Sequence, residues 1–338
     1  MAKTILGIDI GHDQLKLALV KGGRVLKTAS AQMPENLLRQ GRITSVESMG
    51  ELLRNTMKQH GIRANHAALA LPNETVYVKN VEVPPMTVEQ LEYNLPFEFK
   101  DYITGELKEY VFDYAVISQP GENVGSGDGR GEDNVSIELM GVGTLRAVLE
   151  DARDALRKAG LKLTLCAPAL SAYINLLRAR HAELATESEE YGILDLGFGA
   201  IRMYMFNRDR HVATRVLEIG LSTLDNVIAD AYGVDVHLAR TYLTSNFENC
   251  QDREECLSAY ENIAVELMRV LNFYRFSNPD SALGDLWLCG GGAVIRPLTE
   301  AIGEMLSIQL HPAAELVPGG EGVEACNTMV QAIGIAMG

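Results

Sequence analysis

Two short motifs of the form Asp-x-Gly carry residues that suit phosphate chemistry. Asp9 and Gly11 end one apolar run, and Asp195 and Gly197 end another, 186 residues later (195 − 9). A glycine turn lets backbone N–H groups approach a phosphate chain, and a carboxylate at a strand end can hold hydrated Mg²⁺. One such motif would usually only satisfy its local backbone. Two at matched positions predict hairpins that clamp a nucleotide between them.

A third glycine cluster, Gly290, Gly291 and Gly292, follows an apolar run and precedes a predicted helix. A glycine turn between a strand and a helix permits close backbone approach to a base, a ribose or a phosphate. In the helix before it, Glu266 and Arg269 are three residues apart and therefore share a face. They could reach a ribose or an adenine, or they could form an ordinary surface pair.

The elements around the two Asp-x-Gly motifs repeat as well. Each motif is followed by a second apolar strand, a polar turn and a third strand. These strands are predicted over 15–20 and 25–30 in the first copy and over 201–206 and 211–217 in the second. Two copies of one strand-turn-strand-turn-strand unit predict two similar lobes.

Helices are predicted where apolar residues recur at helical spacing between start and stop signals. Thr144 is expected to cap one helix, and Ser222 precedes another helix, which Gly233 ends. Further helices are predicted over 261–276 and 325–337.

The middle of the chain has the pattern of an insertion. Thr87 and Gln90 form a predicted capping box at the start of a helix. Two strands of a hairpin are predicted over 110–117 and 135–141. Their connector, 118–134, contains five glycines and almost no apolar residues, so we expect it to be mobile.

The composition excludes several classes of protein. The 338 residues are 47% hydrophobic and 22% charged, which is typical of a globular chain. The net charge of −15 disfavours a nucleic-acid or anionic-lipid surface, and no apolar run approaches the ~20 residues of a membrane helix. Five scattered cysteines indicate reduced thiols rather than a disulfide framework or a zinc site. We therefore expect a cytosolic protein that binds no nucleic acid.

The order of these features resembles the actin-like ATPase superfamily, including a last helix with Ala332-Ile333-Gly334. The insertion carries a more specific set of motifs, namely Val83-Pro84-Pro85-Met86-Thr87, Gln90-Leu91, Asn94-Leu95, Glu98-Phe99, Tyr102-Ile103 and Asp113-Tyr114. These residues resemble the PilM family of type IV pilus assembly proteins. The resemblance implies an α/β, actin-like (ribonuclease H-like) two-lobed fold with an inserted subdomain in the FtsA-type 1C position.

The resemblance also implies how the chain is divided. It assigns 1–83 and 166–190 to the first lobe, 84–165 to the inserted subdomain, 191–320 to the second lobe, and 321–338 to a C-terminal helix that packs back on the first lobe.

The site residues implied by the resemblance form three groups around ATP. They are Asp9, Gly11, His12 and Lys16 at the first phosphate site, Asp195, Gly197 and Gly199 at the second, and Gly290, Gly291, Gly292, Glu266 and Arg269 on the adenosine side. Asp9 and Asp195 would hold Mg²⁺ through water.

The function implied by the resemblance is a cytoplasmic ATP-binding scaffold in a peripheral complex at the inner face of the plasma membrane. Family members capture the N-terminal cytoplasmic peptide of PilN, a bitopic inner-membrane protein, in a groove beside the insertion. A small-molecule kinase of the same superfamily is an alternative, and homo-oligomerisation is left open. An FtsA-like membrane tether is disfavoured because 336–338 carries no basic amphipathic tail.

Three departures from the family pattern bear on catalysis. His12-Asp13-Gln14 stands where relatives carry small hydroxyl residues, and Phe198 and Ala200 flank the second turn without a hydroxyl. Cys166-Ala167-Pro168 stands where an acidic residue is expected, so a general base is not evident. We expect slow ATP hydrolysis at most, and a degenerate scaffold that binds no nucleotide is a further alternative.

Overall fold

The computed structural model describes residues 3–118, 136–180, 189–320, 323 and 325–338. The connector that was expected to be mobile, 118–134, lies outside these residues except for its first position.

The strands are β1 (Thr4–Ile10), β2 (Gln14–Lys21), β3 (Arg24–Gln32), β4 (Leu38–Arg39), β5 (Arg42–Ile43), β6 (His66–Leu71), β7 (Val76–Val83), β8 (Tyr110–Ser118), β9 (Ile137–Leu145), β10 (Lys162–Pro168), β11 (Glu190–Leu196), β12 (Ile201–Asn207), β13 (Arg210–Leu217), β14 (Asp285–Cys289) and β15 (Gln309–Pro312).

Helices alternate with the strands in both halves of the chain. They are α1 (Val46–Gln59), α2 (Val88–Glu98), α3 (Arg146–Lys158), α4 (Ala169–Arg180), α5 (Leu221–Tyr232), α6 (Val236–Ser245), α7 (Glu254–Ser277), α8 (Arg296–Leu306) and α9 (Ala325–Ile335). Across the described ranges, no helix has both the length and the apolar character that crossing a membrane requires.

Two five-stranded sheets with the same strand order form the centres of two lobes. The first sheet has the order β3-β2-β1-β6-β10 and the second the order β13-β12-β11-β14-β15. In each, the strand that ends in Asp-x-Gly pairs antiparallel with the next strand and parallel with a strand that returns through helical segments. The predicted duplication of the strand-turn-strand-turn-strand unit is therefore confirmed.

The last helix, α9, packs closely against the first lobe and links the two sheets. At Gly7 of β1, an added Cβ would stand 1.7 Å from the carbonyl oxygen of Ala332 on α9, so only glycine permits this approach. Helix α9 also joins a buried cluster with residues of both lobes, including Tyr173 of α4 and Tyr204 of β12. The position of α9 therefore depends on both halves of the molecule.

The inserted sheet contains three strands in the order β7-β9-β8. The expected hairpin of β8 and β9 is present, and β9 also pairs antiparallel with β7 over its whole length. After β9 the chain returns to the first lobe, where α3 packs against α1 and β10 joins the first sheet. The strands of this sheet span 76–145, whereas the resemblance assigned 84–165 to the inserted subdomain. Pairing between distant strands has no local sequence signal.

Thr144 is not a helix cap, contrary to expectation. It lies within β9, and its buried hydroxyl donates a hydrogen bond to the carbonyl oxygen of Thr75 at 2.6 Å. The strand continues to Leu145, which takes the N-cap position of α3 without a side-chain hydrogen bond. The sequence pattern located the helix but placed its start too early.

Other helix ends agree with expectation or differ from it by a few residues. The capping box of Thr87 and Gln90 is formed, with both of its hydrogen bonds present at the start of α2. Ser222 lies inside the first turn of α5, whose N-cap is Gly220, and Gly233 ends that helix in the left-handed conformation. Helix α7 begins at Glu254, before the expected start at 261.

Candidate functional site

A cleft of about 250 Å³ lies between the lobes, at the ends of the two duplicated hairpins. The turn after β1, the turn after β11 and the glycine turn after β14 all contribute to its walls. The predicted site residues that line it are Asp9, Gly11, His12, Lys16, Asp195, Gly197, Gly199, Gly290 and Gly291. The two Asp-x-Gly motifs therefore face one shared space.

Asp9 and Lys16 form an ion pair in the first lobe's wall of the cleft. They lie opposite one another in the β1–β2 register, and the Lys16 Nζ is 3.3 Å from the Asp9 Oδ2. Burial by itself would lower the pKa of Lys16, but the charges of Asp9 and Asp195 outweigh it and raise that pKa. Lys16 is therefore a permanent cation at the cleft, suited to a phosphate oxygen.

Asp195 is a buried carboxylate that residues of other elements orient. Its Oδ2 accepts a hydrogen bond from the Gln331 Nε2 at 2.8 Å and one from the Tyr173 hydroxyl at 3.3 Å. Burial raises the pKa of Asp195, although the charges of Lys16 and Arg202 oppose this change. Because Gln331 belongs to α9 and Tyr173 to α4, the second Asp-x-Gly motif is held by helices that pack on the first lobe.

Arg202 repeats in the second lobe the position that Lys16 has in the first. It lies opposite Asp195 in the β11–β12 register, as Lys16 lies opposite Asp9. The Arg202 Nη2 is 2.7 Å from the Oε1 of Glu74, which lies in the short 3₁₀ turn after β6. The arginine therefore spans the cleft from the second lobe to the first.

Arg240 on α6 makes a second connection between the lobes. Its Nη1 is 2.8 Å from the Oδ1 of Asp13 in the β1–β2 turn, and its Nε is 2.9 Å from the Oδ2 of buried Asp225 on α5. Its guanidinium also lies over the ring of Phe198, 4.2 Å from the ring centroid. Asp13, the acidic departure from the family pattern, is thus neutralised by an arginine from the opposite lobe.

The glycine turns show a close backbone approach at Gly290 and open space at Gly199. Gly290 has φ +87°, and an added Cβ would stand 2.6 Å from the Asp195 Oδ1, so no other residue fits there. At Gly199, no atom of the described residues lies within 4 Å of an added Cβ. The first glycine lets the third turn reach Asp195, and the second leaves room for a ligand.

Three predicted site residues do not line the cleft. Gly292 is buried, and an added Cβ there would meet the side chains of Leu196 and Leu221, so this glycine serves packing. Glu266 and Arg269 form an exposed ion pair with each other on α7. The spacing correctly placed this pair on one face of the helix, but that face does not border the cleft. The structure therefore gives no support to their predicted contact with adenosine.

Several residues of the cleft were not predicted from the sequence. Glu74, Arg240 and Gln331 reach it from elements far from any Asp-x-Gly motif, and nothing in their local sequence indicates this. Arg202 had a detectable signal, because it follows Lys16 by the same 186 residues (202 − 16) that separate the two aspartates. The repeat therefore predicts a cation opposite each carboxylate.

The charges of the described cleft lining suit a magnesium nucleotide better than a bare one. The lining carries five carboxylates (Asp9, Asp13, Glu74, Asp195 and Asp225) and three permanent cations (Lys16, Arg202 and Arg240). This excess of negative charge would repel a free triphosphate, whereas the paired strand-end carboxylates suit a hydrated divalent cation. Lys16 and the glycine turns suit the phosphate oxygens, so the donor set fits ATP accompanied by Mg²⁺.

The sequence matches the family PilM_2, described as type IV pilus assembly protein PilM, over residues 7–316. No curated protein matches it significantly. The structure is similar to that of a "PilM-PilN type IV pilus biogenesis complex", with a TM-score of 0.81 and 23% sequence identity over 98% of this chain and 97% of that one. It also resembles ethanolamine utilization protein EutJ from Carboxydothermus hydrogenoformans, with a TM-score of 0.61 and 14% identity over 100% of this chain and 89% of that one. The fold is the actin-like two-lobed α/β fold.

Proposed function

Because the chain belongs to the PilM family of type IV pilus assembly proteins, we propose that it is an actin-like scaffold that recruits a PilN-like membrane protein. The observation that carries this proposal is the family match over 7–316, which spans both lobes and the insertion. In this role the protein binds the short N-terminal cytoplasmic peptide of its partner. It thereby takes a peripheral position at the cytoplasmic face of the inner membrane.

The binding surface that we assign to the peptide lies on the insertion. Tyr93, Phe97 and Tyr102 form an aromatic surface on and just after α2, and their exposed fractions are 73%, 53% and 57%. The rings of Tyr93 and Phe97 contact each other, with centroids 5.9 Å apart. Exposed aromatic residues in contact are frequent anchors of protein interfaces.

The charge around this aromatic surface indicates the kind of peptide that it would take. Glu89 and Glu92 are exposed on the same helix, whereas Glu98 is paired with Lys79. Together with the net charge of −15, they favour a segment that combines apolar side chains with basic ones. A cytoplasmic tail that precedes a membrane helix commonly has this basic character.

The proposed ligand of the cleft is ATP with Mg²⁺. Asp9 and Asp195 would hold the hydrated ion, and Lys16 with the glycine turns would bind the phosphates. When bound, the ion supplies the positive charge that the acidic cleft lacks. The nucleotide favours whichever arrangement of the lobes it binds best, so it can set the shape of the peptide site.

We propose slow hydrolysis at most. The two strand-end carboxylates already have partners: Lys16 for Asp9, and Gln331 with Tyr173 for Asp195. A cationic or hydrogen-bond-donating partner stabilises the ionised carboxylate and makes it a weaker base toward water. A scaffold without nucleotide is the second candidate, and the excess of carboxylates in the cleft is the observation that favours it.

Titration calorimetry with the N-terminal peptide of a PilN-like protein tests the scaffold role. We expect saturable binding to the wild type, and a loss of affinity of at least about tenfold in the Tyr93→Ser/Phe97→Ser variant. Phe276→Ser is the matched control, because Phe276 on α7 is 85% exposed in the other lobe. Absence of binding to the wild type, or an equal loss in the control, contradicts the proposal.

A further inference from the structure

Two arginines of the second lobe each hold a carboxylate of the first lobe across the cleft. The Arg202 Nη2 is 2.7 Å from the Glu74 Oε1, and the Arg240 Nη1 is 2.8 Å from the Asp13 Oδ1. All four side chains line the cleft that we assign to the nucleotide. The guanidinium groups there are therefore occupied by carboxylates of the protein itself.

Both arginines are restricted in movement, Arg240 by contacts within the second lobe and Arg202 by its burial. Arg240 is fixed by its bond to Asp225 and by the Phe198 ring beneath it. Arg202 extends from β12 opposite Asp195, and only 13% of its side chain is exposed. An arginine that is already oriented loses little conformational freedom when it binds an anion.

The two carboxylates are weaker partners for these arginines than a polyphosphate would be. Glu74 and Asp13 each bring one negative charge, and their side chains are 32% and 22% exposed. Ion pairs at partly exposed positions contribute little net stability. A triphosphate brings several charged oxygens, which arginine binds in a bidentate manner.

We propose that Glu74 and Asp13 are internal competitors of the nucleotide, and that its phosphates displace them from Arg202 and Arg240. This inference rests on the proposed nucleotide site and extends it, because it makes two arginines phosphate ligands and two carboxylates inhibitors of binding. The inference also links nucleotide binding to the contact between the lobes. Each arginine that turns to a phosphate breaks one ion pair between the lobes, so binding changes how the lobes are held together.

The two members of each pair then have opposite effects on affinity. Glu74→Gln and Asp13→Asn free an arginine and remove a repelling charge, so we expect each to raise the affinity for Mg²⁺-ATP by about three- to tenfold. Arg202→Gln and Arg240→Gln remove a ligand, and we expect each to lower it at least about tenfold. Titration calorimetry with Mg²⁺-ATP and with Mg²⁺-tripolyphosphate measures these changes, and circular dichroism verifies that each variant is folded.

Two controls distinguish carboxylates that compete with the nucleotide from ion pairs that only hold the lobes together. Arg178 of α4 and Asp209 of the β12–β13 turn form another ion pair, at 2.6 Å, outside the cleft lining. Asp209→Asn should leave the affinity for Mg²⁺-ATP unchanged. Adenosine, which has no phosphate, should respond to none of the four cleft substitutions.

The inference is wrong if substituting the arginine and substituting the carboxylate of one pair change the affinity in the same direction. That result is expected of an ion pair that only holds the lobes together, because loss of either member would open the cleft in the same way. The inference is also wrong if no variant, including the Glu74→Gln/Asp13→Asn double variant, binds either magnesium ligand. The scaffold role is measured separately by peptide binding. If the protein binds the peptide but none of the variants changes its affinity for the magnesium ligands, only this inference is rejected. If the two members of each pair change that affinity in opposite directions but the peptide does not bind, only the scaffold role is rejected.

Discussion

The Nε2 of Gln331 donates a hydrogen bond to the Oδ2 of Asp195 at 2.8 Å, although 136 residues separate the two in the chain. The same Nε2 lies 2.8 Å from the Tyr173 hydroxyl oxygen. The last helix thus delivers a polar group to the second Asp-x-Gly motif. The carboxylate that we assign to the ion is consequently held by an element that packs on both lobes.

Replacing Gln331 should destabilise the protein. Gln331→Ala leaves the buried Asp195 carboxylate with one donor fewer, and we expect the free energy of unfolding to fall by about 1–3 kcal/mol. Urea denaturation at pH 7 measures this. Thr328→Ala is the matched control on α9, because its hydroxyl bonds to the nearby carbonyl of Ala325 and its loss should cost less than about 0.5 kcal/mol. Equal losses in the two variants would show that the bond to Asp195 is unimportant.

His211 should make the protein sensitive to acid. Burial lowers the pKa of this histidine from 6.5 to about 4. Below pH 6.5 the unfolded chain binds a proton that the folded histidine does not. The free energy of unfolding therefore falls as the pH drops from 6.5 to about 4, by up to about 3 kcal/mol, and this contribution then levels off.

Urea denaturation of the wild type and of His211→Gln at several values between pH 7.5 and 4 tests this effect. The variant should lose less stability than the wild type over that interval, because glutamine does not titrate. Parallel pH profiles for the two proteins would mean that His211 titrates normally in the folded state.

The approach of α9 to β1 should tolerate no side chain at Gly7. Because an added Cβ would overlap the backbone carbonyl of Ala332, Gly7→Ala should cost at least about 3 kcal/mol of unfolding free energy or prevent folding. Gly199→Ala, where the described part of the chain has no atom within 4 Å of the new methyl group, should change stability by less than about 0.5 kcal/mol. Thermal unfolding followed by circular dichroism compares them, and similar melting temperatures would contradict the close packing.

Nucleotide binding should depend strictly on magnesium. Five carboxylates in the cleft lining repel a free triphosphate, so ATP with excess EDTA should leave the melting temperature unchanged. ATP with Mg²⁺ should raise it in proportion to the logarithm of ligand concentration once that concentration exceeds the dissociation constant. An equal shift without the ion would mean that the carboxylates do not govern binding.

The sequence determined the features that arise from local pattern. The duplicated Asp-x-Gly hairpins were predictable because the strand-turn-strand unit repeats at a fixed offset, and the capping box of Thr87 and Gln90 was predictable because its bonds lie within one helical turn. The same repeat also contained a signal for Arg202 opposite Asp195, although this residue was not predicted. The family followed from the motifs of the insertion.

Only the tertiary structure decided which side chains meet in the cleft. Spacing placed Glu266 and Arg269 on one face of α7, but the direction of that face depends on how the helix packs, and it does not border the cleft. Gln331 and Glu74 reach the cleft through contacts between segments far apart in the chain. Local patterns fix turns, strands and helices because their bonds join near neighbours, whereas the assembled cleft depends on the packing of the two lobes and α9 against one another.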